Sequence, residues 1–138
     1  MTLIDAGPLI ALIVSREPDH ERCVEALRSV DLPLLTTWPA FTEAMYLVGR
    51  HGGWAAQAAL WQLVHEQDLE IAEQPALANR RVAKLMERYS DRPMDLADAT
   101  LVTLAEELGV KRMFTLDSDF GIYRIHGRAR FELLPQQG

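Results

Sequence analysis

The chain has 138 residues, 49% of them hydrophobic and 25% charged, a balance that suits one globular domain spanning residues 1–138. Its single cysteine, Cys23, excludes an internal disulfide and points to a reducing compartment. A net charge of −6 argues against indiscriminate nucleic-acid binding, and no uncharged run approaches the ~20 residues of a membrane helix.

Thr2 to Asp5 opens the chain as a short buried strand, and Asp5 comes too early for a signal peptide, so a cytoplasmic protein is expected. Pro8 suits the first turn of a helix whose body is Leu9, Ile10, Leu12 and Ile13. Asp19 stands where it would cap the next helix, which carries Cys23, Val24, Leu27 and Val30 at helical spacing. Pro33 to Thr37 reads as a second buried strand. Pro39 opens a helix to about His51, Gly52-Gly53 breaks it, and another helix runs from Trp54 to Glu66. Leu69 to Ala72 is a third strand, and Leu77 to Tyr89 a helix with Val82, Leu85 and Met86 inward. After the turn Ser90 to Pro93, the stretch Asp95 to Leu108 is apolar nearly all round, which predicts a central buried helix ended by Gly109. Arg112 to Leu116 is the fourth strand, Phe131 to Leu134 a fifth at an edge, and Gln136 to Gly138 are expected to fray. Strands alternating with helices predict an α/β fold with a parallel sheet of four to five strands covered on both faces.

Several carboxylates lie inside or beside apolar stretches: Asp5, Glu43, Asp95, Asp98, Asp117 and Asp119. An ionised carboxylate facing a core is costly unless a positive charge meets it, and a divalent metal is the simplest shared counter-charge. In parallel sheets the ligand site lies beyond the carboxyl ends of the strands. Asp5 ends the first strand, Asp117 follows the fourth, and Glu43 and Asp98 sit early in helices, so topology steers all four to one rim. Each also has a plain reading. Asp5 stands where it would cap the following helix, Glu43 could be a solvated helical acid, and Asp95-Leu-Ala-Asp98 has the form of a capping box. Beneath Asp98, however, lie Leu101, Val102 and Ala105, which marks its face as buried. Of Asp117 and Asp119, one would approach metal while the other caps the turn. Oxygen donors without histidine or cysteine suit Mg²⁺ or Mn²⁺ rather than zinc.

The segments Leu3-Ile4-Asp5, Thr42-Glu43-Ala44, Asp98-Ala99-Thr100-Leu101-Val102 and Thr115-Leu116-Asp117-Ser118-Asp119-Phe120, in this order, resemble the PIN domain family. In particular, they resemble the small VapC-like ribonuclease toxins of VapBC toxin–antitoxin systems. The resemblance spans almost the entire chain. It implies a three-layer α/β/α fold, Mg²⁺- or Mn²⁺-dependent cleavage of RNA, a homodimer and a cognate antitoxin that wraps the toxin. It also implies a quartet of Asp5, Glu43, Asp98 and Asp117, with Asp119 accessory. One departure is Gly7, where many relatives carry a hydroxyl or amide residue.

His20, His51, His65 and His126 read as surface residues, and Cys23 as an inert buried one. Arg80, Lys84 and Arg88 form a stripe that is either a solvated face or a phosphate track, with Arg16, Arg50 and Arg124 as looser candidates. Trp38, Trp54 and Trp61 are large for a small domain, and Trp61 with Leu60 and Val64 is either core or the lining of a groove for a dimer mate or antitoxin helix. Competing classes are weaker. A haloacid-dehalogenase-type phosphatase needs a second Asp at the position of Gly7, and a phospho-accepting receiver domain needs an acid pair and a late lysine that are not evident. A PIN relative that binds RNA or a partner without efficient turnover is the non-enzyme alternative.

Overall fold

The computed structural model describes residues 1–136, so Gln137 and Gly138, two of the three residues expected to fray, lie outside it. The elements are β1 (Thr2–Ile4), α1 (Ala6–Ile13), α2 (His20–Leu27), β2 (Leu34–Thr37), α3 (Trp38–His65), β3 (Leu69–Ala72), α4 (Ala78–Arg88), α5 (Leu96–Leu108), β4 (Arg112–Phe114), a 3₁₀ turn (Ser118–Gly121) and β5 (Glu132–Leu134). The strands form one sheet in the order β3-β2-β1-β4-β5, and every pairing is parallel. β5 is an edge strand, as the sequence predicts.

Parallel strands need crossover helices, and those helices bury both sheet faces. The alternation of side chains along each strand divides the core in two. Leu3, Leu35 and Met113 face α4 and α5, within a cluster that holds Leu85, Leu101, Leu104, Phe120 and Tyr123. Their neighbours Ile4, Leu34 and Phe114 face the other way, toward Leu9, Cys23, Phe41, Val48 and Leu60 of α1, α2 and α3. The result is a three-layer α/β/α fold. Leu3 and Ile4 are both fully buried, each contributing about 1.5–3 kcal/mol relative to an exposed side chain. The central strand is therefore pinned from both sides.

α5 is buried continuously from Ala97 to Ala105, in keeping with its nearly uniform apolar character. It ends at Gly109, whose left-handed φ of 67° a side chain would oppose. The two helices expected on either side of Gly52-Gly53 run on as α3, kinked where Gly53 takes φ 64°, ψ −158°.

Asp19 is the N-cap residue of α2 as expected, but the way it caps is corrected. Its side chain makes no capping bond to the backbone of α2 and pairs instead with Arg22 at 2.9 Å. An arginine one turn along the helix offers a charge-assisted bond that competes with the backbone amides for the same oxygens. Cys23 is fully buried, and burial pushes its thiol up to about 11, which makes it unreactive. Among the described residues no helix is long and apolar enough to cross a membrane.

Candidate active site

The order β3-β2-β1-β4-β5 reverses direction at β1 and β4, so the crevice beyond their carboxyl ends is the expected ligand site. Five acids meet there. A hollow of ≈ 240 Å³ is lined by Asp5, Glu43, Asp95, Asp98 and Asp117, with Ala6, Gly7 and Leu116. The predicted quartet is thus brought together. Asp119 is not in this lining; its carboxylate faces Arg92 at 3.4 Å.

Each acid reaches the hollow by a local rule. Asp5 follows β1 and caps α1, its Oδ1 accepting from the Ala6 amide at 2.8 Å. It therefore fills the capping role and the rim position together. Asp95 caps α5 by accepting from the Asp98 amide at 2.8 Å. The reciprocal half of a capping box is missing, because the Asp98 carboxylate turns inward to the hydroxyl of Tyr123 at 3.0 Å. Asp117 caps the 3₁₀ turn through the Asp119 amide at 2.9 Å. Glu43, exposed on the second turn of α3, closes the rim from the opposite side.

Two hydroxyls escaped sequence reasoning. Thr115 donates to Asp5 Oδ2 at 3.1 Å and accepts from the Asp117 amide at 3.0 Å, so one buried side chain ties the acids of β1 and β4 together. Its place two residues before Asp117 was the available signal. Tyr123 is fully buried and held edge-on by Tyr89 at 5.0 Å and Phe120 at 5.1 Å. Nothing in its sequence context marks it, because its partner lies 25 residues away.

The electrostatics are those of uncompensated negative charge. Among the described residues no ion pair involves Asp5, Glu43, Asp98 or Asp117; the pairs run Arg22–Asp19, Arg28–Glu25, Arg81–Glu106 and Arg92–Asp119. Burial, then the charges of Asp5 and Asp95, push Asp98 from 3.8 to about 8, against the opposing bond from Tyr123. Burial, opposed by the Ala6 and Thr115 bonds, raises Asp5 from 3.8 to about 6, and the charges of Glu43 and Asp117 add to the rise. Burial and the charges of Asp95 and Asp117 also raise Glu43.

An all-oxygen set of crowded carboxylates at a strand-end crevice fits a hard divalent cation. Among the described residues no three acids, histidines or cysteines form a ready-made cage around one ion. Asp5, Asp98 and Asp117 each turn at least one oxygen to a protein donor instead. Gly7 lies in the lining, and a Cβ there would make ordinary contact with Leu116 at 3.6 Å, so no clash forces glycine.

The remaining candidates lie outside the acid hollow. Arg80, Lys84 and Arg88 are exposed on α4. Arg16 bonds the His51 carbonyl, Arg124 the carbonyls of Gly121, Ile122 and Tyr123, and Arg50 lies 6.0 Å over the Tyr46 ring. His51, His65 and His126 are exposed, while His20 is half-buried with its ring against the Ala11 carbonyl at 2.7 Å. Trp61 is half-buried and packs edge-on against Phe41, and Trp54 is exposed.

The fold is three-layered α/β/α, with acids gathered at the β1/β4 crevice. The PIN domain family profile matches residues 2–125, and the chain belongs to the PIN domain family. Ribonuclease VapC26 of Mycobacterium tuberculosis is 29% identical over 134 residues, covering 96% of this chain and 99% of that protein. The fold is similar to the crystal structure of Mycobacterium tuberculosis VapC20, described as a sarcin-ricin loop cleaving toxin, with TM-score 0.81 and 17% identity over 88% of this chain and 94% of that one. VapBC2 from Rickettsia felis, bound to a DNA fragment from its promoter, aligns with TM-score 0.66 and 13% identity over 96% and 97% of the two chains. A toxin–antitoxin complex from Klebsiella pneumoniae aligns with TM-score 0.64 and 18% identity over 86% and 88%.

Proposed function

We propose that this chain is a divalent-metal-dependent endoribonuclease and the toxin of a toxin–antitoxin pair. The observation that carries the reading is the meeting of Asp5, Glu43, Asp98 and Asp117 in one hollow without a paired cation among the described residues. The printed name of VapC26 as a ribonuclease supports the activity, and the toxin–antitoxin complexes among the structural neighbours support a protein antitoxin as partner. A cytoplasmic homodimer acting on RNA belongs to the same reading.

Asp5, Glu43, Asp98 and Asp117 would hold Mg²⁺ or Mn²⁺. When bound, such an ion supplies a Lewis acid that makes water more acidic and neutralises charge on a phosphodiester. The chain's own residues set the stage for it. Thr115 orients Asp5 and fixes Asp117 beside it, while Tyr123 holds one oxygen of Asp98. Asp98, raised to about 8, carries a proton at neutral pH until a positive charge meets it. Asp119 lies outside the lining of the hollow and is paired with Arg92, so it has no place in the proposed quartet.

Purified protein mixed with single-stranded RNA and Mg²⁺ or Mn²⁺ is expected to cut it, and EDTA to stop the cutting. Asp5→Asn should remove activity while preserving the circular dichroism spectrum. Cleavage indifferent to chelation would overturn the metal-dependent reading. Calorimetric binding of Mn²⁺ without cleavage of any RNA pool would favour the non-enzymatic alternative.

A further inference from the structure

A second hollow of ≈ 560 Å³ adjoins the acid one and shares Glu43 and Asp95 with it. Beyond those two rim acids its lining is mainly carbon, from Trp38, Pro39, Leu96 and Ala97. Trp38 and Leu96 are the first residues of α3 and α5, and each is about half exposed, at 49% and 51%. Large apolar side chains half in water on either side of one groove call for an occupant. The groove is also braced. The Ala40 amide donates to the Thr37 hydroxyl at 3.4 Å, Thr37 meets the Thr100 hydroxyl at 2.8 Å, and Thr100 donates to the Ala97 carbonyl at 2.8 Å. That relay, buried between the helix starts, fixes the spacing of Trp38 and Leu96.

We infer that this groove is a subsite for an unpaired nucleobase flanking the scissile phosphate. The inference rests on the ribonuclease reading of the acid hollow. A phosphodiester at the acids places its neighbouring nucleotide over the shared rim of Glu43 and Asp95. A base is flat, apolar on its faces and neutral, so it suits the indole of Trp38 and is not repelled by the rim. A phosphate or an acidic peptide would be. The rim carboxylates can also accept from a base amino group. Stacking on an aromatic side chain is available only to a base free of a duplex, so the substrate class is unpaired RNA.

The cleavage site of the wild-type protein is first mapped on a single-stranded RNA pool. One cut oligonucleotide then serves as substrate, beside versions abasic on either side of the scissile phosphate. Trp38→Ala is expected to raise KM by about 5- to 100-fold with little change in kcat, while Trp38→Phe keeps most of the affinity. Trp54→Ala, on an exposed and separate tryptophan, should leave KM unchanged. One abasic version should cost the wild type a similar factor and cost Trp38→Ala nothing further. An unchanged KM in Trp38→Ala, or fully additive losses, overturns the subsite while the ribonuclease reading stands. An unchanged KM together with lost binding to the protein encoded beside this chain assigns the groove to a protein segment and also overturns it. A wild-type protein that cuts no RNA overturns both readings at once.

Discussion

One helix, α5, carries two carboxylates removed from solvent and provides for them in opposite ways. The Glu106 side chain is 6% exposed and receives a bidentate guanidinium from Arg81, at 2.7 and 2.9 Å, plus the His126 amide at 2.6 Å. Burial alone would raise it, but those donors outweigh burial and hold Glu106 below the usual carboxylate range. Asp98, two turns earlier and also buried, receives only the Tyr123 hydroxyl and is driven upward by burial and by neighbouring acids. A carboxylate buried for stability brings its counter-charge with it. One buried without a counter-charge, among others of the same sign, destabilises the fold and calls for a charge from outside.

The contrast is broken hardest at Asp98. Asp98→Asn should lower RNA cleavage by more than about 100-fold, since even residues behind metal ligands cost 10–100-fold. The same change should leave the chelator-treated protein as stable as wild type or more so, because it removes an acid that must take up a proton to be buried. A clear fall in its melting temperature would contradict that account. Tyr123→Phe keeps the packed ring and removes only the hydroxyl. It is expected to weaken Mn²⁺ binding by about 10- to 100-fold in calorimetric titration while changing thermal stability little. Equal affinity would mean that the hydroxyl is not orienting Asp98. Glu106→Gln should do the reverse of Asp98→Asn, costing about 1–3 kcal/mol in denaturant unfolding and leaving cleavage intact.

The pH profile gives the finest separation. Asp98 binds its proton more tightly folded than unfolded, so its contribution is fully present below 3.8 and is lost as pH rises toward about 8. Glu106 binds its proton less tightly folded, so its contribution is present above 4.5 and is lost as pH falls below that value. In chelator-treated protein, unfolding free energy should decline between about pH 4 and 8, and Asp98→Asn should flatten that limb. Glu106→Gln should flatten only the acid limb. Identical profiles for the two variants would dissolve the distinction.

Much of the fold and the quartet was legible because local patterns coincided with topology. Buried strands, Pro8 in the first turn of α1 and Gly109 at the end of α5 are signals read within a few residues. Once the strands are parallel, Asp5 and Asp117 must share a rim. The supporting hydroxyls are different. Tyr123 meets Asp98 across 25 residues and Thr115 meets Asp5 across 110, and no periodicity reports such pairings. Asp19 holds the N-cap position without the expected side-chain bond for a related reason, since competition between a backbone amide and Arg22 is settled by side-chain geometry that spacing does not disclose. The expected division between Asp117 and Asp119, one lining the site and the other capping the turn, is corrected for the same reason: Asp117 does both, while Asp119 faces Arg92.

β1 (Thr2–Ile4) sits in the middle of the sheet, and its neighbour β4 (Arg112–Phe114) follows it only far along the chain. The two pair only after a long loop has closed, which is the slow kind of contact to form. A polypeptide still emerging from the ribosome therefore holds Asp5 without Asp117 and without the Thr115 hydroxyl that joins them. If the chain cuts RNA, cutting awaits the emergence and docking of β4 and the turn that carries Asp117.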